Sequence, residues 1–143
     1  MQVNEIFKSI QGEGPNFGKP AIFLRTAQCN LKCTWCDTKY TWDWKNYDFS
    51  KEVKEMTIDE VKDAIVELEI KHLVITGGEP LLQQDDLADL LSFLKPDFYV
   101  EVETNCTILP NKMLTDLIDQ WNVSPKTKNS GNSLDLCENN ECY

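Results

Sequence analysis

Three cysteines lie within one short stretch of this chain. Cys29, Cys33 and Cys36 have the spacing C-x3-C-x2-C, so one loop can wrap their thiolates around an iron–sulfur cluster. A 4Fe-4S cluster takes a ligand on each of its irons, and three cysteines therefore leave one iron open to a small molecule. An open coordination position is typical of catalytic metal sites, whereas structural sites are closed. The spacing predicts a catalytic cluster held by a loop.

The alternatives to a cluster are a zinc loop and unrelated thiols. Zinc needs a fourth ligand, and the one histidine of the chain, His72, lies far along the sequence beside an apolar run. Disulfides are not favoured, because residues 1–11 include Glu5 and Lys8 and do not form a signal peptide. A reducing compartment is therefore expected, which points to the cytoplasm.

Length and charge limit the function classes. A chain of 143 residues makes one domain with a single core. The formal net charge is -10, which argues against nonspecific binding to nucleic acid or anionic lipid, because that needs clustered lysine and arginine. No apolar run reaches the length that spans a bilayer. Neither a nucleic acid nor a membrane is expected as a partner.

Short β-rich runs alternate with helical patterns along the chain. Strands are predicted at 3–7, 21–26, 72–76 and 98–103, while residues 122–124 are too short to be predicted as a fifth. Helices are predicted from a capping box at Thr57 and Glu60, over 87–94 and over 113–121. This alternation favours a parallel sheet with crossover helices. We therefore expect an α/β fold with about four strands and three helices.

The predicted core domain covers residues 1–126, and a polar, loosely ordered tail follows at 127–143. Cys137 and Cys142 in this tail are interpreted as incidental thiols rather than as a second metal site. His72 is interpreted as structural and Cys106 as a buried thiol.

Two polar segments follow predicted strands. Gly77-Gly78-Glu79-Pro80 ends the third strand, and Thr104-Asn105 ends the fourth. In open parallel sheets, ligands bind at the carboxyl ends of the strands, so both segments are candidates for a site. Glu101 and Glu103 share one face of their strand, which leaves open either a polar site lining or a solvated edge.

The cysteine loop, with Trp35 before its last cysteine, and the later Gly77-Gly78-Glu79-Pro80 segment resemble the radical S-adenosylmethionine (SAM) superfamily. The resemblance implies a partial (β/α) barrel in which the amino and carboxylate groups of SAM chelate the open iron. An electron from the cluster then cleaves SAM to a 5'-deoxyadenosyl radical. Trp35 would offer an apolar surface to the adenine, and the glycines would let the backbone approach the ligand.

A narrower resemblance lies in the segments 4–14, 23–25, 36–38 and 124–126, which are similar to the 7-carboxy-7-deazaguanine synthase family. That family contracts the ring of 6-carboxy-5,6,7,8-tetrahydropterin to 7-carboxy-7-deazaguanine with release of ammonia, in queuosine and other 7-deazapurine biosynthesis. The resemblance implies a carbon–nitrogen lyase that uses a 4Fe-4S cluster, SAM and Mg²⁺. A flavodoxin- or ferredoxin-like protein would donate the electron.

The family's binding residues carry over to matching positions of this chain. The pterin would be held by Ile10, Gln11, Gly12, Arg25 and Thr76. Magnesium would be bound by Thr38, with substrate oxygens completing its shell, since Mg²⁺ prefers six oxygens. SAM would contact Gly78, Ser124, Pro125 and Lys126. No catalytic residue is expected beyond the cluster and SAM.

The chain departs from the family after Ser124-Pro125-Lys126, because family members continue well beyond this segment. Two alternatives therefore stay open: a glycyl-radical activating enzyme of the anaerobic ribonucleotide reductase activase type, whose short length fits, and an inactive cluster-binding remnant. So few strands also leave exposed sheet edges, which can pair with another chain. A homodimer is expected.

Overall fold

The computed structural model describes residues 1–133 of the chain. Six strands form one sheet in this part: β1 (Gln2–Ile10), β2 (Pro20–Thr26), β3 (Lys54–Glu55), β4 (His72–Gly77), β5 (Tyr99–Thr104) and β6 (Gln120–Val123). The α-helices of the described residues are α1 (Phe49–Glu52), α2 (Ile58–Val66), α3 (Gln84–Leu94) and α4 (Lys112–Thr115). None of these helices has the length and apolar character that a membrane crossing needs.

The strand order is β3-β1-β2-β4-β5-β6. Strands β2, β4, β5 and β6 run parallel to one another, and helices lie in the connections between β4, β5 and β6. The predicted α/β class is confirmed. Strand β1 differs from the expectation, because it pairs antiparallel with β2. The short loop at 11–19 explains this, since a parallel pair needs a longer crossover connection.

Two strands, the short helix α1 and one helix boundary also differ from the prediction. Strand β3 is an additional edge strand, and β6 covers Gln120–Val123, where no strand was predicted. The predicted helix 113–121 stops early, as α4 ends at Thr115. Asp119 explains the change: its backbone N–H donates to the Val100 carbonyl at 2.9 Å, and its carboxylate accepts from Val100 N at 2.7 Å. These bonds draw the chain onto β5 as a strand.

The helices cover one face of the sheet and bury the apolar core there. Leu24 of β2, Ile75 of β4 and Val102 of β5 are fully buried on this face and belong to one cluster with Ile65 and Leu91 of the helices. The predicted capping box is confirmed at the start of α2. Because side chains alternate along a strand, the residues between these core positions point to the opposite face.

Glu101 of β5 lies on that opposite face and is fully buried. Its carboxylate accepts hydrogen bonds from Gln11 Nε2 (3.0 Å), Asn16 Nδ2 (2.5 Å), Asn122 Nδ2 (2.7 Å) and His72 Nε2 (2.7 Å). Gln11 and Asn16 belong to the loop at 11–19, so the carboxylate fastens this loop to β4, β5 and β6. The contact also gives His72 a structural role, as predicted.

We expect Glu101→Gln to lower the free energy of unfolding by about 1–3 kcal/mol near neutral pH, because it leaves buried donors poorly paired. Burial opposes ionisation of Glu101, but the four hydrogen bonds outweigh it, and the pKa of this carboxyl lies below its ordinary value. A lowered folded-state pKa contributes stability that is present above the unfolded pKa and is lost as pH falls through the folded pKa. The difference between the unchanged chain and the variant should therefore shrink as the solution is acidified.

Urea unfolding across the acid range measures this difference. Glu67→Gln is the matched control, because Glu67 is exposed. If Glu101→Gln lowers the free energy of unfolding by the same amount at every pH, the stabilising role of the ionised Glu101 carboxylate is contradicted.

Candidate active site

The carboxyl ends of β2, β4, β5 and β6 surround a cleft of about 290 Å³, close to the lower end of the range of small-molecule sites. The cysteine loop follows β2, and Gly78 follows β4. Thr104 and Asn105 line the cleft at the end of β5. Ser124 lies directly after β6. Segments that are distant in sequence therefore meet because parallel strands end at the same edge.

All three loop cysteines line this cleft. Each sulfur accepts a hydrogen bond: Cys29 Sγ from Leu31 N at 3.4 Å, Cys33 Sγ from Asn132 Nδ2 at 3.2 Å and Cys36 Sγ from Trp42 Nε1 at 3.4 Å. Burial raises the pKa of the Cys29 thiol to about 11, so an incoming metal must displace its proton.

The donor set fits an iron–sulfur cluster. Within residues 1–133, no three His, Cys, Asp or Glu side chains converge on a point that a single metal ion could occupy. A cluster does not need such convergence, because each cysteine binds a different iron. N–H donors to the sulfurs are also the contacts that tune iron–sulfur clusters in proteins.

Glu79 fastens the end of β4 to the end of β5. The side chain is fully buried, and its carboxylate accepts from Leu81 N at 3.1 Å, Thr104 Oγ1 at 2.8 Å and Asn105 N at 2.8 Å. Burial raises the pKa of Glu79, although these hydrogen bonds oppose the shift. This residue therefore positions two cleft-lining segments relative to each other.

Gly77 and Gly78 pack against the end of β2. Gly77 has a φ of +144°, and a Cβ at this residue would lie 2.2 Å from the Thr26 carbonyl oxygen. A Cβ on Gly78 would lie 2.0 Å from the Gln28 carbonyl oxygen. The structure shows that these glycines approach the chain's own backbone closely, and their approach to SAM stays a prediction.

The residues predicted to contact SAM lie at one side of the cleft. Trp35, Gly78, Ser124 and Lys126 line it, whereas Pro125 is exposed and is not a lining residue. Lys126 Nζ donates to Ser124 Oγ at 2.7 Å and lies 5.5 Å from the centroid of the Trp35 ring. The Lys126 ammonium therefore connects the segment after β6 to the cysteine loop.

Thr38, the predicted magnesium ligand, lies directly beside the cysteines. It lines the cleft together with Asp37, and its Oγ1 is 3.6 Å from Cys36 Sγ. The structure therefore places oxygen atoms next to the cluster loop, and the magnesium role stays a prediction.

The residues predicted to hold the substrate line the same cleft and a shallow extension of it. Arg25 lines both, Thr76 lines the main cleft, and Ile10, Gln11 and Gly12 line the extension. Arg25 and Thr76 are neighbours in the register of β2 and β4. Arg25 Nε pairs with Glu5 at 3.3 Å. The guanidinium thus makes an ion pair and also lines the cleft.

Glu103 is the residue whose role the sequence left undecided. It lines both the main cleft and the extension, and it accepts hydrogen bonds from the Thr76 side chain and from Gln11 Nε2 at 3.3 Å. Burial is the main cause that raises the pKa of this carboxyl. The sequence signal for a role of Glu103 in the cleft was its position near the end of β5, directly before Thr104-Asn105.

Other contacts to the cysteine loop had no sequence signal. Asn132 is 99 residues away from Cys33 along the chain, and it lies in the predicted tail. Residues 128–130 form a short 3-10 turn, and Ser130 is fully buried. The boundary between a core domain 1–126 and a tail 127–143 stays a prediction, and Cys137 and Cys142 lie outside the described residues.

Comparison with known proteins places the chain in a family. The family model of the radical SAM superfamily matches residues 23–125. A 7-carboxy-7-deazaguanine synthase of Buchnera aphidicola is 36% identical over 97% of this chain and 68% of its own length. The chain belongs to the radical SAM superfamily and, within it, to the 7-carboxy-7-deazaguanine synthase family.

Other relatives agree with this membership. A 7-carboxy-7-deazaguanine synthase of Pyrobaculum aerophilum is 43% identical over 92% of this chain and 57% of its own length. The crystal structure of QueE from Escherichia coli is similar with a TM-score of 0.63 at 34% identity, over 77% of this chain and 55% of that one. The chain spans roughly half the length of the curated relatives it matches. Membership in the radical SAM superfamily implies a 4Fe-4S cluster and SAM as cofactors.

We expect Gly78→Ala to lower the free energy of unfolding by about 1–3 kcal/mol, because the added methyl would clash with the Gln28 carbonyl at the start of the cysteine loop. Gly12→Ala is the matched control, since a Cβ there meets no atom within 4 Å. Urea unfolding followed by circular dichroism measures both variants. Equal stability of the two variants would show that the contact with Gln28 does not constrain the loop.

Proposed function

We propose that this chain catalyses the radical-mediated contraction of 6-carboxy-5,6,7,8-tetrahydropterin to 7-carboxy-7-deazaguanine with release of ammonia, in the biosynthesis of queuosine and other 7-deazapurines. One observation carries the proposal. The three cysteines lie in the same cleft as Arg25, Thr76 and Glu103, and this cleft continues into the extension lined by Gln11. A cluster and a small planar substrate can therefore be bound side by side.

Arg25 is the residue that we propose to bind the substrate carboxylate. Its guanidinium is planar and presents several N–H donors in a fixed geometry that matches a carboxylate. The ion pair with Glu5 engages Nε and holds the group at the junction of the cleft and its extension. Gln11, Thr76 and Glu103 lie around this junction, and together they supply donors and acceptors for the pterin ring.

The cluster would be held by Cys29, Cys33 and Cys36, and SAM would lie between Gly78, Ser124, Lys126 and Trp35. When bound, the cluster supplies the electron that cleaves SAM to a 5'-deoxyadenosyl radical. Trp35 is 53% exposed, and its ring offers an apolar surface to the adenine. Lys126 and Ser124 present an ammonium and a hydroxyl towards the same space.

Magnesium is proposed to bind at Thr38. A single hydroxyl cannot hold Mg²⁺, which prefers six oxygens and keeps waters and substrate groups among them. The Asp37 carboxylate lies next to Thr38 on the cleft wall and adds negative charge there. Substrate oxygens would complete the shell, so magnesium and pterin binding are expected to depend on each other.

Three further features belong to the proposal. The electron donor is a flavodoxin- or ferredoxin-like protein, and the compartment is the cytoplasm, where cysteine ligands stay reduced. The third feature is a homodimer. It is supported by the sheet edges at β3 and β6, since an uncovered strand can pair with a second chain.

One assay tests the activity. Anaerobically reconstituted protein is incubated with dithionite, SAM, Mg²⁺ and the pterin, and both 5'-deoxyadenosine and 7-carboxy-7-deazaguanine are measured. We expect both products. SAM cleavage without the deazapurine would overturn the proposal in favour of a glycyl-radical activating enzyme. Cluster binding without any SAM cleavage would favour an inactive remnant.

We expect Arg25→Lys to raise KM for the pterin by about 10- to 100-fold, because lysine keeps the charge but loses the two-pronged hydrogen bonds to the carboxylate. Steady-state kinetics under anaerobic conditions measure the change. Lys8→Arg is the control, as Lys8 is exposed on β1. An unchanged KM for Arg25→Lys would remove this residue from the substrate site.

The dimer is tested separately by anaerobic size-exclusion chromatography with light scattering. We expect a mass of about twice that of the chain, because the open sheet edges pair. A monomer mass at every concentration tested would rule the dimer out.

A further inference from the structure

The segment after Lys126 folds back onto the cysteine loop. Lys128–Ser130 form a 3-10 turn, and Gly131 follows in the left-handed region with a φ of +82°. The Ser130 carbonyl accepts from Thr34 N at 2.9 Å, and Asn132 Oδ1 accepts from Lys32 N at 2.8 Å. This segment therefore binds the residues on either side of Cys33.

The orientation of the Asn132 amide follows from its contacts. Its Oδ1 accepts the N–H of Lys32, so its NH₂ group must point the other way, because a flipped amide would place two donors face to face. The NH₂ group donates to Cys33 Sγ at 3.2 Å and to Ser130 Oγ at 3.0 Å. Every polar atom of this amide is thus used, and one N–H is directed at the sulfur.

This bond differs from the hydrogen bonds to the other two sulfurs. Leu31 and Trp42 are close to Cys29 and Cys36 in the chain, and the distant Asn105 amide reaches Cys29 Sγ only at 3.9 Å. Asn132 comes from beyond the last strand of the described residues. The distance of 3.2 Å from Asn132 Nδ2 to Cys33 Sγ is shorter than the N···S distances from Leu31, Trp42 and Asn105 to the other two sulfurs. Cys33 is also buried, with 8% exposure, and a hydrogen bond is stronger where water is excluded.

We infer that Asn132 raises the reduction potential of the cluster bound by Cys29, Cys33 and Cys36, by donating a hydrogen bond to the Cys33 sulfur. Reduction adds one electron to the cluster and increases the negative charge on its sulfur ligands. An N–H donor stabilises the more negative state, so reduction becomes easier. Asn132 is therefore a positioning residue that acts through Cys33. The inference rests on the cluster of the proposed function and is independent of the pterin.

Asn132→Asp is the first variant. It keeps the shape and the acceptor for Lys32 N, but it replaces the N–H donor beside Cys33 Sγ with an oxygen. Asn129→Asp is the matched control, because it adds the same charge to the same segment at an exposed residue. Its Oδ1 acceptor for the Thr127 hydroxyl is retained.

The reduction potential of the reconstituted full chain is measured in an EPR-monitored titration with dithionite, without SAM or pterin. Dithionite supplies one electron to each cluster. For Asn132→Asp, we expect the ratio of reduced to oxidised cluster at a fixed potential to fall at least tenfold, which corresponds to about 59 mV for one electron. The control should change this ratio by less than about threefold. Equal shifts in the two variants would overturn the inference.

Asn132→Ala is the decisive variant, because a carboxylate beside Cys33 Sγ would lower the potential by charge repulsion alone. It removes the donor without adding charge, and we expect a shift to more negative potential, whereas an unchanged potential would overturn the inference. The outcomes also separate the two proposals. A potential shift without deazapurine formation in the activity assay contradicts only the proposed function. If the chain without substitutions takes up no 4Fe-4S cluster, both the proposed function and the inference on Asn132 are contradicted.

Discussion

The parallel pairing of β2, β4, β5 and β6 is the constraint on which the site depends. Parallel strands end at the same edge of a sheet, so the segments that follow them meet although they are distant in sequence. The register then decides which side chains face the cleft. Arg25 lies opposite Thr76 in this register, and a slip of one residue would turn either side chain to the face that the helices cover.

The two faces of the sheet have different chemistry for a simple reason. Helices α2 and α3 bury one face, where Leu24, Ile75 and Val102 pack. On the other face, the only apolar cluster of fully or nearly buried residues among 1–133 is small and consists of Ala21, Phe23 and Val74. That face can therefore carry Arg25, Thr76 and Glu103, which an apolar core could not accept unpaired.

Two buried carboxylates hold segments of the chain in place around the cleft. Glu79 joins the ends of β4 and β5, and Glu101 fastens the loop at 11–19 over the sheet. Both accept several N–H or O–H donors, as buried acids must. In Glu79 burial prevails and raises the pKa, whereas in Glu101 the hydrogen bonds prevail and lower it. Two buried glutamates of this chain thus lie in different electrostatic environments.

Local patterns in the sequence determined the α/β class, the four long strands, the start of α2 and the position of the cysteine loop, because spacing, capping and apolar periodicity act over a few residues. The family segments indicated Arg25 and Lys126 in the same way. Only the tertiary structure decided the antiparallel pairing of β1, the early end of α4, the burial of Glu101 and the hydrogen bond from Asn132 to Cys33. These features depend on contacts between separate elements of the fold, and such contacts leave no periodic signal in the chain.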